Sequence, residues 1–217
     1  MDFAPVWLSL RVSLMATVLT LGLGVPAAWL LARKATFLKD VLGAVVVAPL
    51  VLPPTVLGYY LLTLIGARGP LGRFFESVGV ELAFTWRAAV LAAAVGSIPL
   101  LIKTVQAGFE SVDTRLEQAA RTLGRSEWSV FWSVTLPLSW RAVVAGTVLA
   151  FCRAVGDFGI TLMVAGSIPE RTQTLPLAIY DFVQADRMHD ANALAALTVT
   201  AVVVLLVGFA RAARLRY

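Results

Sequence analysis

Five stretches of the chain are nearly unbroken apolar runs, at about residues 8–32, 41–65, 84–106, 142–165 and 192–212. A helix rising 1.5 Å per residue needs about 20 such residues to cross roughly 30 Å of hydrocarbon. The pattern therefore predicts an all-α, polytopic membrane protein with about five transmembrane helices, forming a single domain over 1–217. Between the runs the pattern changes. Residues 71–78 and 177–184 read as short amphipathic helices, either lying flat at the membrane edge or presenting a docking surface to an outer partner. In the long polar segment at about 110–140, Leu116, Ala120 and Leu123 recur at helical spacing. Gly124 is placed to end that helix in a left-handed cap, and Trp128, Phe131, Val134 and Leu136 form a second apolar set ahead of Pro137. Two short helices at an angle are expected there, either as a knob for a partner or packed on the spans.

Composition narrows the class. The chain is 59% hydrophobic and 14% charged, where a soluble domain carries about 25% charged residues. A soluble globule is excluded, and so is disorder, which needs low hydrophobicity and high charge. One cysteine (Cys152) and one histidine (His189) allow neither an internal disulfide nor a Cys/His zinc cluster. The start, Met1-Asp2-Phe3-Ala4-Pro5, lacks the basic region of a cleaved signal peptide.

The net charge of +5 acts mainly through its placement. Arg33, Lys34 and Lys39, then Lys103, Arg115, Arg121, Arg125 and Arg141, then Arg211, Arg214 and Arg216 all fall on one side of a five-span chain. The other side holds Arg68, Arg73, Arg87, Arg171 and Arg187, while Arg11 and Arg153 lie within spans. Basic loops stay inside, so the N-terminus is expected outside and the C-terminus in the cytoplasm, with no nucleic-acid role.

Two spans carry features that plain lipid-facing helices avoid. Pro49, Pro53 and Pro54 interrupt the second, and Gly96-Ser97-Ile98-Pro99 is expected to interrupt the third near the same depth. Freed backbone carbonyls need protein or water, and interrupted spans near the midplane point to a transport route; the alternative is that the prolines only bend packed helices. Arg153 and Asp157, four residues apart in the fourth span, are expected to share a face and pair. They either fix helix packing or line a path.

The 110–140 segment resembles the EAA loop of ABC-importer permeases, whose pattern is Glu-Ala-Ala, three residues, Gly, nine residues, Ile-x-Leu-Pro. Here Gln118-Ala119-Ala120, Gly124 and Val134-Thr135-Leu136-Pro137 stand at that spacing, with Gln118 replacing the pattern's Glu and Glu117 preceding it. The resemblance covers nearly the whole chain and is greatest to molybdate permeases, through residues 50–59, 88–95, 151–159 and 167–176; Asp157 stands where that family usually has Glu. Sulfate permeases share parts of these motifs.

The resemblance implies an importer type I transmembrane domain in a bacterial inner membrane. It also implies a homodimer of this chain, two cytoplasmic ATPase subunits and an extracytoplasmic molybdate-binding protein. The chain has no Walker A loop, since none of Lys34, Lys39 and Lys103 follows a glycine. It is therefore expected to be a transport subunit rather than an enzyme. No cofactor or metal is expected on it, and ATP and Mg belong to the partner ATPase. Coupling to that ATPase is expected from Glu117, Gln118, Ala119, Ala120, Leu123, Gly124, Trp128, Leu136 and Pro137, with residues 119–128 forming the coupling helix. The translocation path is expected along Pro53, Pro54, Thr55, Ser97, Arg153 and Asp157. Tungstate or sulfate is an alternative cargo. A proton-coupled secondary transporter would leave the glycine-centred loop unexplained, and an intramembrane protease would lack its catalytic set.

Overall fold

The computed structural model describes residues 3–33 and 36–214. Lys34 and Arg216 of the charge count lie outside the described residues, as does the side chain of Arg214. Among the described residues the elements are α1 (Ala4–Leu31), α2 (Phe37–Val51), α3 (Pro54–Ile65), α4 (Pro70–Ser77), α5 (Trp86–Glu110), α6 (Thr114–Thr122) and α7 (Glu127–Val130). A π turn (Phe131–Thr135) follows, then α8 (Leu136–Val155), α9 (Gly159–Ala165), α10 (Leu175–Gln184) and α11 (Met188–Arg214), with no strand.

Four of these stretches are long and apolar enough to cross a membrane: α1, α5, the continuous Glu127–Val155 and α11. The second expected span is not one helix. α2 and α3 meet at 111°, because a residue preceding proline is pushed out of the helical region. Leu52 (ψ 142°) and Pro53 (ψ 134°) both precede prolines and both are extended. The expected interruption of the third span is absent: α5 runs unbroken through Gly96, Ser97 and Pro99. A lone proline removes one backbone donor, whereas two in succession impose two extended residues. The fourth span starts earlier than expected, at Glu127, and stops at Val155; α9 is a separate piece beyond a break at Gly156–Phe158.

α5 is the central post, flanked along its length by α1 and α8. The contact is close because small residues line it, with Ala88, Ala89, Ala92, Ala93 and Gly96 on α5 all buried. Without a hydrophobic drive between helices in lipid, such small-residue surfaces gain their stability from van der Waals contact. The polarity of α1 is inverted relative to a water-soluble helix. Ser9, Ser13, Thr17 and Thr20 face inward, while Trp7, Leu10, Leu14 and Val18 are exposed. The buried hydroxyls cost little because Ser13 donates to Ser9 O (2.6 Å), Thr17 to Ser13 O (2.7 Å) and Thr20 to Ala16 O (2.7 Å). Across the seam, Thr20 Oγ1 and Ser97 Oγ lie 3.4 Å apart.

Two apolar clusters fill the bundle. One gathers Val12, Ile65, Leu82, Ile160 and Val164 around the first turns of α5. The other joins Ala28, Leu101, Ile102, Val105, Phe109, Phe131 and Ala150 near the opposite end. The short helices expected at 71–78 and 177–184 are present as α4 and α10. The backbone N–H of Leu175, at the start of α10, donates to the Ser9 hydroxyl at 2.7 Å, fixing α10 on the first helix.

Candidate functional site

Beyond the end of α5 the chain forms a helix, a turn and a second helix. Asp113 starts α6, its carboxylate accepting from Arg115 N at 2.9 Å. Gly124 ends it with φ +79°. The Gly124 N–H donates to Arg121 O (2.9 Å) and the Arg125 N–H to Ala120 O (3.2 Å), the paired bonds of a Schellman cap. Ser126 then caps α7. The expected coupling helix at 119–128 is thus not one helix; it comprises the end of α6, the glycine turn and the first residues of α7. Pro137 directly follows the π turn, near the start of α8, and Leu136 packs into the cluster around Phe131.

The outward surface of this element is uncovered and carries apolar side chains among polar ones. α6 has no buried residue. Leu116 is exposed, Leu123 is 83% exposed and Trp128 60% exposed, with Gln118 and Ala119 exposed beside them and Ala120 half-buried. Of the two arrangements open from the sequence, α6 is the projecting knob. Val130 and Phe131 are instead buried against the bundle.

A chain of polar contacts ties the knob down. Thr135 Oγ1, in the π turn, donates to Glu117 (2.6 Å), whose other oxygen accepts from Arg121 Nη2 (3.2 Å). Arg121 Nε donates to Glu127 (2.6 Å), and Arg33 Nη2, at the end of α1, reaches the second oxygen of Glu127 at 2.9 Å. Arg33 in turn lies 4.0 Å from the ring centroid of Trp29, which packs against Phe131 at 4.8 Å. The hydrogen bond that Arg121 donates to Glu127 holds its guanidinium above its already high ordinary pKa. Gln118 leaves no gap in this network, because the carboxylate that turns inward is Glu117. No local pattern points to Arg33, which lies 94 residues from Glu127, or to Thr135.

The remaining expected residues lie at the helix breaks. Pro53, Pro54 and Thr55 are exposed at the start of α3. α3 packs on α9 so closely that a Cβ on Gly159 would stand 2.7 Å from Pro54 Cβ, and one on Gly58 would stand 2.6 Å from Met163 Cβ. Two helix interruptions therefore meet. Ser97 is elsewhere: it is fully buried, donating to Ala94 O at 3.3 Å in the α1–α5 seam, and borders no open surface. Arg153 and Asp157 do pair, at 3.2 Å, but not along one helix as expected. Asp157 lies past the end of α8 and takes the Thr161 N–H (3.0 Å) and Oγ1 (2.7 Å) of α9.

The same plan occurs in known proteins. Residues 24–215 match the family described as binding-protein-dependent transport system inner membrane component. The molybdenum transport system permease protein of Escherichia coli K12 is 47% identical over 184 residues, covering 84% of this chain and 80% of that protein. Its counterpart in Haemophilus influenzae is 42% identical over 194 residues, covering 89% and 85%. The inward-facing methionine ABC transporter shares the fold, with a TM-score of 0.72 at 19% identity over 97% of this chain and 93% of that one. The broken second span, the glycine-capped knob and the matched length agree: this chain belongs to the inner-membrane component family of binding-protein-dependent transport systems.

Proposed function

We propose that this chain is the membrane-spanning permease of an ATP-driven importer of molybdate. The observation that carries the reading is the uncovered knob, α6–Gly124–α7, with Leu123 and Trp128 exposed on it, in a chain 47% and 42% identical to two molybdenum permeases. An exposed Leu123 and Trp128 beside a rigid turn suit a cleft in an ATPase subunit, where two apolar anchors supply most of the docking energy. The basic end that bears this knob faces the cytoplasm, and α4 and α10 face outward, toward a binding protein that delivers the oxyanion. A second copy of the chain completes the route between the helix breaks. Closure of the ATPase pair draws the two knobs together, and the network through Glu117, Glu127 and Arg33 passes the displacement to α8 and α1. The inner and outer openings thereby alternate.

Leu123→Asp tests this directly, since Leu123 is 83% exposed. The variant should insert and fold as the parent does. It should lose ATPase stimulation by the molybdate-loaded binding protein by about tenfold or more, as expected for removing a docking anchor. Full stimulation in the assembled variant would overturn the assignment of the knob.

A further inference from the structure

The pair at the junction of α8 and α9 is built asymmetrically. Asp157 is 3% exposed and fixed: one carboxylate oxygen accepts both the N–H and the hydroxyl of Thr161. Arg153 is held loosely. Its side chain is 31% exposed against 2% for Asp157, and its guanidinium makes one hydrogen bond among the described residues, Nη1 to Asp157 at 3.2 Å. That is long for a charge-assisted bond, which ordinarily closes to about 2.7–2.9 Å, and it uses one of the five N–H donors where carboxylates commonly take two.

The position of the pair is equally specific. It rests on Gly96 of α5, where a Cβ would come 3.2 Å from Arg153 Nη2 and 3.3 Å from Asp157 Oδ1; any larger residue would crowd both groups. Gly96 is ten residues along α5 from Trp86, or about 15 Å at 1.5 Å per residue, near the middle of that helix. Beside it the exposed prolines of α3 meet Gly159. A guanidinium with unused donors at that depth is not stable against hydrocarbon and requires water or an anion.

We propose that Arg153 is the residue that contacts the oxyanion in transit, and that Asp157 is its resident counter-ion. A tetrahedral oxyanion takes the free donors in a two-point contact, while Asp157, anchored by Thr161, stays in place. Its negative charge beside the bound anion limits affinity, so the cargo is released rather than retained. This assignment rests on the oxyanion-importer reading above.

The test uses the assembled transporter with its ATPase and binding protein. Arg153→Gln should lower molybdate uptake about tenfold or more, the ordinary consequence of losing a charge-assisted contact, with ATPase stimulation by the loaded binding protein within about twofold of the parent because the knob is untouched. Asp157→Asn, which keeps an acceptor for Thr161, should show molybdate binding to the transporter without binding protein in equilibrium dialysis. The parent and the double variant should show none. Parental uptake in Arg153→Gln, or no gain of binding in Asp157→Asn, would overturn the proposal. Should Arg153→Gln fail to assemble, Arg153→Lys carries the uptake test: it keeps the charge but not the planar fork, so parental uptake overturns the proposal and a several-fold loss supports it. Failure of the parent itself to import any oxyanion would instead sink the underlying reading, and is measured separately.

Discussion

At Gly124 the backbone requirement can be separated from packing. Its φ is +79°, and a Cβ there would meet nothing within 4 Å. A substitution therefore costs conformational energy alone, about 1–2 kcal/mol for an ordinary L-residue and less for asparagine, which tolerates this region. The order of coupling efficiency should be glycine, then Gly124→Asn, then Gly124→Ala, although asparagine is the bulkier replacement. Measuring binding-protein-stimulated ATPase for the three decides it, and alanine equalling glycine would show that the left-handed turn is dispensable. The spacing of the motif made this glycine legible, because a cap is a local property. Glu117 was legible only as a neighbour of Gln118. Its inward turn depends on Thr135 and Arg121, and the first of these comes from a later element. Asp157 shows the converse: a separation of four from Arg153 suggested one helical face, yet the helix stops first and the pair survives through the break.

Among the elements, the contrast between α5 and the α2–α3 pair shows what proline count alone misses. Pro99 sits inside a continuous helix, whereas Pro53-Pro54 divides a span at 111°. The apolar runs fall on helices, with the run at 142–165 divided between α8 and α9. Hydropathy alone does not show the break in the second span, which the consecutive prolines predict, nor that α9 is detached, which depends on where residues 156–158 leave the helix. α3 and α9 then need their glycines. Gly159→Val would place side-chain atoms where Pro54 lies, with a Cβ only 2.7 Å from Pro54 Cβ. It should lower stability by about 1–3 kcal/mol, the usual cost of overpacking, read as a lower unfolding midpoint in detergent. Gly22→Val, where a Cβ meets nothing within 4 Å, serves as the control and should change the midpoint far less.

For the molecule as a whole, surface distribution matters more than any one contact. α2 has no buried residue, and α11 exposes Val199, Val203, Val204 and Val207; lipid or a second copy covers such faces. Replacing the single cysteine as Cys152→Ala leaves a background for one reporter. A cysteine substituted at Thr55 should react with a membrane-impermeant thiol reagent in at least one state of the ATPase cycle, and one at Ser97 should stay protected in this conformation, being fully buried. Absence of labelling at Thr55 in every state would remove the helix break from the route.

The inward hydroxyls of α1 carry a mechanical consequence. Because Ser13, Thr17 and Thr20 spend their protons on carbonyls of their own helix, the long boundary with α5 is held by shape rather than by strong hydrogen bonds. No strong bond crosses it, the stretched Thr20–Ser97 approach being the modest exception, but the packing is close enough that a Cβ on Gly24 would stand 2.6 Å from Leu101 Cδ2. The anchor lies at one extremity, where Ser9 grips the start of α10. A second tie, Arg33 to Glu127, lies at the other, so the first helix is bonded at its two ends and close-packed between them.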